Sequence, residues 1–275
     1  MATSVQTKPT ARWDAAEYAA NSVVQQQWAR DLLARLSLRG DERVLDVGCG
    51  DGKVTAEIAR AIPRGTVVGA DASAEMIAFA REKFPPAQQA NLRFEICDAR
   101  RIGELTRPAG GFDVVFSNAA LHWVDDHQAV LRGASALLKP GGRLLVSCGG
   151  KGNAHDVFLA LRPEMRRKRW WEFFRGMTMP YFFYAPADYR RWLPEHGFKI
   201  QQLELAPRSA VYAGEAGFAT WLRTTWLPFT QRVPEALREE FIAAVTQRYL
   251  AKHPLDAAGQ VSVRMVRLEI DAVKI

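Results

Sequence analysis

The stretch Val44-Leu45-Asp46-Val47-Gly48-Cys49-Gly50-Asp51-Gly52 decides the fold. An apolar run gives way to three glycines at alternate positions, with carboxylates at 46 and 51. Glycines between a strand and a helix let backbone approach a ligand with no Cβ in the way. The dinucleotide fingerprint G-x-G-x-x-G seats a pyrophosphate on the helix that follows. Here the spacing is Gly48-x-Gly50-x-Gly52, and Asp46 and Asp51 would repel a diphosphate. The loop points to a ligand that carries positive charge.

Outward from the loop, strand and helix patterns alternate. Residues 43–47, 66–70, 92–96, 112–116 and 143–147 read as short strands, the third by alternation and the others as nearly continuous apolar runs. Between them, 52–61 reads as a helix stopped by Ile62-Pro63-Arg64-Gly65, and Ser73 opens another with Glu75 and Met76 in its first turn. Trp123, Val130, Leu131, Ala134, Leu137 and Leu138 give one apolar stripe, so the next helix is expected to begin at Trp123 and to stop at Lys139-Pro140-Gly141-Gly142. This rhythm predicts an α/β fold: a doubly wound, mostly parallel sheet of seven strands, Rossmann-like, with helices on both faces. Ligands of such sheets bind beyond the carboxyl ends of the strands. Those ends are Asp46, Asp71, Asp98 and Asn118, a polar rim where a ligand belongs.

The flanks suggest one elaborated domain over 1–275. Residues 13–37 carry helical spacing and read as an N-terminal lid, 41–150 as the ligand-binding core and 151–196 as a helical cap insertion. Residues 197–275 read as the completion of the sheet with helices, including helices near 188–195, 215–226 and 235–252 and strands over 198–205 and 261–273. The chain has 275 residues, 48% of them hydrophobic, and a net charge of +7, which permits nucleic-acid binding without arguing for it. The opening lacks a signal-peptide core and no apolar run is long enough to span a bilayer, so a cytoplasmic protein off the membrane is expected. Cys49, Cys97 and Cys148 are too scattered for a disulfide framework or a metal cluster and read as reduced fillers; no metal is expected.

The Gly-rich loop with its acidic rim resembles motif I of the class I S-adenosylmethionine-dependent methyltransferases. The resemblance implies that Asp46, Gly48, Cys49 and Gly50 meet the aminoacyl end of the cofactor, whose ammonium and sulfonium carry the positive charge. It implies that Asp71, beside Ala72, accepts both ribose hydroxyls and that Met76 covers the adenine. Asp98 would take the adenine amino group, with Ala99 offering its amide, and Asn118 would aim its carbonyl at the ammonium. S-adenosylhomocysteine would be the product. Taken singly, each of these residues is also ordinary turn chemistry.

Tyr18-Ala19-Ala20-Asn21-Ser22-Val23-Val24-Gln25 and Leu121-His122-Trp123-Val124 are similar to the juvenile hormone acid and fatty acid O-methyltransferases. Residues 221–275, including Tyr249, His253-Pro254-Leu255 and Gly259-Gln260, are similar to the trans-aconitate methyltransferases. Both groups methylate carboxylates, so the implied function is formation of the methyl ester of a fatty, isoprenoid or polycarboxylic acid. By that resemblance Gln25 and Trp123 hold the acceptor carboxylate, with Tyr18 and Leu121 near it; Trp170, Trp171 and Tyr181 are expected around the substrate from the aromatic segment 166–184 read as a cap. Gln25 also reads as one residue of a solvated Gln25-Gln26-Gln27 face with its register open by one, and Trp123 as core. His122 as a general base would favour an O-, N- or C-methylated natural product instead. A module that binds the cofactor without turnover is the non-enzyme alternative.

The block Arg166-Arg167-Lys168-Arg169 followed by Trp170, Trp171, Phe173 and Phe174 reads as a cap over the acceptor site ahead of an amphipathic helix with solvated arginines. Nucleic acid comes third, because the basic residues form one block with no accompanying RNA module. The expected partner is a small carboxylic acid, and the protein is expected to be a monomer or homodimer.

Overall fold

The computed structural model describes residues 23–275, with side chains from residue 26 onward. Tyr18 lies outside the described residues, and so does the Gln25 side chain. The described chain groups into two compact units. One comprises 23–155, 179–210 and 263–275; the other comprises 156–178 and 211–262.

The first unit carries the sheet. It contains α1 (Val23–Leu33), β1 (Arg43–Val47), α2 (Lys53–Ala61), β2 (Thr66–Asp71), α3 (Ala74–Lys83), β3 (Leu92–Ile96) and β4 (Phe112–Asn118). It continues with α4 (His127–Leu137) and β5 (Leu138–Gly149). The strand order is β3-β2-β1-β4-β5-β7-β6, the last two strands coming from late in the chain. Pairs among the first five strands are parallel, whereas β7 (Gln260–Lys274) runs antiparallel to β5. The sheet is thus mixed and Rossmann-like.

Alternation along β1 feeds both faces of the sheet. Val44 joins Ile58, Ile77, Phe94 and Phe116 on one face, and Leu45 joins Val68, Val115 and Leu131 on the other. A strand buried on both faces explains why Val44, Leu45 and Val47 do not alternate with polar residues as a half-exposed strand would. Each such large side chain contributes roughly 1.5–3 kcal/mol on burial.

Two boundaries depart from the sequence reading. Trp123 does not open a helix: it ends a 3-10 turn, Leu121–Trp123, and α4 starts at His127, capped by the Asp126 carboxylate, which accepts from Ala129 N. The local cap prevails over the apolar stripe. β5 also begins at Leu138 rather than 143, because Leu138 pairs with Phe112 before the register shifts and resumes at Val114 with Arg143. The Pro-Gly-Gly segment is an outward bulge within the strand.

The units also divide the chain differently from the expected 151–196 cap. Residues 179–196, including α7 (Pro186–Glu195), pack with the sheet, where Tyr189, Trp192 and Leu193 join its core. β6 (Phe198–Ala213) extends well past 205. The second unit instead gathers α5 (His155–Met165), α6 (Trp171–Phe174), α8 (Gly214–Thr225), α9 (Leu227–Thr230) and α10 (Glu235–Leu250). Its core is aromatic: Phe158 meets Trp226 edge-on with centroids 4.9 Å apart, and Phe218 stacks on Tyr249 at 4.6 Å. Buried Glu164 takes Arg248 at 2.6 Å and Arg167 at 3.2 Å, and Arg169 pairs with Glu240, so two arginines of the basic block have acidic partners within this unit. Among the described residues no helix is long and apolar enough to cross a membrane.

Candidate functional site

β1 has β2 on one side and β4 on the other, which makes its carboxyl end the switch point of the sheet. A cleft with about 500 Å³ of empty space, partly open to solvent, lies there. Asp46, Gly48 and Gly50 wall one side, and Asn118 and Ala119 the other. The loop is fastened to β2 by Gly48 N and Cys49 N, which both donate to Ala70 O at 2.7 and 3.1 Å. Gly48 has φ 75°, and a Cβ on it would sit 2.1 Å from the Ala120 Cβ. No other residue fits there. Facing it, Ala119 holds φ 57°, unusual for a residue with a Cβ, and its N–H donates to Ser147 O at 2.8 Å. Such strain costs roughly 1 kcal/mol or more and collects at functional sites.

Charge in the cleft is crowded. Asp46 is 2% exposed and accepts from the Thr55 hydroxyl at 2.7 Å. Burial pushes its carboxyl up to about 7, partly offset by the Thr55 bond and reinforced by Asp71 and Asp51. Asp51 is buried too, and its Oδ2 accepts no hydrogen bond. Three close carboxylates beside a backbone cradle that a Cβ would fill suit a ligand with a cationic head. S-adenosylmethionine fits that description.

The rest of the rim is assembled around the loop. Asp71 accepts from Gly50 N at 3.0 Å on one oxygen and from Ser73 N at 2.9 Å on the other, leaving lone pairs on both for two hydroxyls. Burial raises its carboxyl, and these backbone bonds partly offset the shift. Ala72 beside it is exposed, and Met76 is buried in the first turn of α3, its N–H capped by Ser73 Oγ at 3.2 Å. Asp98 caps the 3-10 turn that starts at Ala99 and is gripped by the Arg100 guanidinium, at 2.5 Å to Oδ2, which holds its carboxyl below the usual range. Arg100 reaches on to Asp125 at 3.0 Å. Cys49, Cys97 and Cys148 are free thiols; burial raises Cys49 and Cys148 and so keeps them unreactive.

At the acceptor end the sequence candidates separate. Leu121 is buried in the sheet core, and its carbonyl accepts from His127 Nε2 at 2.7 Å. Trp170 is 2% exposed and packs edge-on to Phe241 in the other unit, again a core residue. Trp171, 43% exposed, carries the Arg175 guanidinium 5.8 Å over its ring. Trp123 and Tyr181 do come together, with centroids 4.7 Å apart, and Tyr181 stacks on Phe183 at 5.4 Å. The extended segment 179–184 straps this turn: Phe182 N donates to His122 O at 2.8 Å and the Tyr184 hydroxyl to Asp125 O at 2.6 Å. Burial raises the Tyr181 phenol, which therefore stays protonated.

The His122 ring is engaged as an acceptor. Its Nδ1 accepts from Gly149 N at 3.4 Å, and burial, followed by the nearby Arg267 charge and His127, lowers it to about 3. The ring is a neutral acceptor near neutral pH.

Three residues overlooked in the sequence stand at this site. Gln26 lines the cleft, and its amide donates to Glu57 of α2, which Arg30 also grips at 2.7 and 2.9 Å. Lys53 lines the cleft directly after the glycine loop. Arg267, 4% exposed, donates to Ser147 O at 2.6 Å and Asn118 Oδ1 at 3.5 Å and lies 5.2 Å over the Trp28 ring. A signal for Arg267 existed: Arg267, Glu269 and Asp271 continue the buried alternate register of Val263 and Met265.

Comparison with known proteins agrees with this geometry. A family profile described as a methyltransferase domain matches residues 38–168. The chain is 30% identical to a trans-aconitate 2-methyltransferase of Rhodopseudomonas palustris, over 96% of this chain and 100% of the relative. With a trans-aconitate 2-methyltransferase of Deinococcus radiodurans it shares 39% identity, over 82% of this chain and 85% of that one. Phosphoethanolamine N-methyltransferase 2 of Haemonchus contortus, solved with S-adenosyl-L-methionine, has the same fold, with a TM-score of 0.59 at 18% identity over 94% of this chain and 56% of that chain. With its glycine cradle, crowded carboxylates and end-to-end relatives, the chain belongs to the S-adenosylmethionine-dependent methyltransferase family.

Proposed function

We propose that the protein transfers a methyl group to a carboxylate of a small polycarboxylic acid, giving a methyl ester and S-adenosylhomocysteine. The observation that carries this reading is the similarity to trans-aconitate 2-methyltransferases, which runs the length of both chains and so beyond the cofactor-binding half. The neutral, hydrogen-bonded His122 supports it. A carboxylate is ionised near neutral pH and needs no base, whereas a hydroxyl or amine acceptor would.

The cofactor supplies an electrophilic methyl group on a sulfonium. Asp46, Gly48, Cys49 and Gly50, with the Asn118 carbonyl, hold its aminoacyl end. Asp71 and the Ala72 backbone hold the ribose, and Met76, Asp98 and Ala99 meet the adenine; Asp98 does so while keeping Arg100, since a carboxylate has about four acceptor sites. On the acceptor side, the Gln25 amide and the Trp123 indole N–H orient one carboxylate oxygen and leave the other able to attack. Neutral donors suit this task because they do not quench the nucleophile. Tyr181, kept protonated, walls the acceptor beside Trp123. Alignment of this kind is worth roughly 7 kcal/mol or more.

The test is a panel of tricarboxylic, dicarboxylic, fatty and isoprenoid acids with methyl-labelled cofactor. An unsaturated tricarboxylic acid such as trans-aconitate should give the highest kcat/KM. A preference of tenfold or more for a fatty or isoprenoid acid would overturn the polycarboxylate assignment.

A further inference from the structure

A cleft shaped only for cationic groups has no use for a cation in its wall, yet Lys53 lines it. Lys53 is the first residue of α2, its side chain 30% exposed, with Nζ 3.4 Å from Asp51 Oδ2. Its backbone N–H donates to Asp51 Oδ1 at 3.2 Å, which fixes where the side chain leaves the helix. The ammonium is ion-paired with that carboxylate while it lines the cleft. Gln26 borders the same cleft from α1. One of its two amide N–H groups serves Glu57, itself clamped by Arg30, and the arrangement sets the amide in place.

An α-amino acid presents an ammonium and a carboxylate on one carbon, so its recognition requires both signs of charge a few ångströms apart. The cleft has both among its lining residues: the carboxylates Asp46 and Asp51, and the Lys53 ammonium with the Gln26 amide. We propose that Lys53, assisted by Gln26, forms the subsite for the α-carboxylate of the cofactor's methionine moiety and selects the complete cofactor over decarboxylated forms. The proposal rests on the aminoacyl end of the cofactor lying in this cleft. Lys53 thereby becomes a specificity residue for the cofactor, independent of which acid is methylated.

Calorimetric titration of the full-length protein with S-adenosylhomocysteine and with its decarboxylated analogue tests this without turnover. The wild type should bind the complete ligand at least tenfold more tightly, the scale of a charge-assisted hydrogen bond. Lys53→Gln should weaken the complete ligand about tenfold, leave the analogue unchanged and so abolish the preference, while Lys53→Arg retains most of it. No preference in the wild type would overturn the proposal even if the variants fail to fold. Equal loss of both ligands in Lys53→Gln, or loss of neither, would also overturn it. If the wild type bound neither ligand, the placement of the cofactor itself would fall, and the subsite with it.

Discussion

The backbone N–H of Gly50 donates to Asp71 Oδ2 at 3.0 Å. That bond joins the glycine loop after β1 to the carboxylate that closes β2, so the surfaces proposed for the aminoacyl group and for the ribose are set against each other before any ligand arrives. Prearrangement of this sort lowers the entropy cost of binding.

Removing the carboxylate acts on both halves. Asp71→Ala should weaken S-adenosylhomocysteine about tenfold to a hundredfold, since hydrogen bonds to a charged group contribute roughly 1.5–3 kcal/mol. Asp71→Asn, which keeps one acceptor oxygen, should fall between. Isothermal titration measures both, and an unchanged Kd for Asp71→Ala would reject the ribose assignment.

Asp46 predicts a pH dependence whose sign is fixed by its environment. Burial raises its carboxyl from 3.8 to about 7, so the folded protein takes up a proton that the unfolded chain does not hold between those values. Stability from this group is therefore greatest at low pH and declines as pH rises toward 7. Asp46→Asn, still able to accept from Thr55, should raise the Tm of the ligand-free protein at pH 8 and do little near pH 4. A cationic ligand needs the ionised form, so wild-type affinity for S-adenosylmethionine should rise with pH between 5.5 and 7.5 and level off above. A Tm gain in Asp46→Asn that is the same at both pH values would contradict the charge crowding.

His122 should prove dispensable as a proton acceptor. Asn places an oxygen near the position of Nδ1 and can accept from Gly149 N, so His122→Asn should keep kcat within about threefold at saturating cofactor. Loss of a general base costs about 10²–10⁴-fold. A drop of that size, with a pH profile that loses its acidic limb, would restore the base role and move the acceptor away from carboxylates.

Gln25→Ala and Trp123→Phe each remove one N–H donor proposed to orient the acceptor. Turnover should drop about tenfold in each while S-adenosylhomocysteine affinity stays within twofold, the scale of one hydrogen bond to a charged group. Parallel loss of cofactor affinity would place these side chains elsewhere.

Arg267→Met should destabilise the protein by about 1–3 kcal/mol, because Ser147 Oγ and Asn118 Oδ1 lose the guanidinium and the Ser147 carbonyl is left with the Ala119 N–H alone. Chemical denaturation reads this directly. Arg267→Lys keeps the charge over Trp28 but lacks the forked donors, so it should recover only part of the loss.

Much of the sheet and cofactor rim was legible in the sequence because those features are local. The strands 43–47 and 92–96, the cap at Ser73 and the acidic strand ends follow from patterns a few residues long, and they appear where expected. The acceptor side was less legible because its features depend on distant chain segments. Trp170 and Trp171 are neighbours in sequence, yet one is core and the other exposed, a distinction made by Phe241 far along the chain. His122 has an intrinsic titration range suited to a base, and the burial and the nearby Arg267 charge that lower it come from distant parts of the chain. Arg267 reaches Asn118 across 149 positions, beyond any periodicity.

The chemical nature of the transferred methyl tests the central claim most directly. With methyl-labelled cofactor and a polycarboxylic acid, the label should leave the product as methanol under mild alkali, as a methyl ester requires. Label that survives alkali would mean methylation at carbon, nitrogen or an ether oxygen and would contradict a carboxylate acceptor.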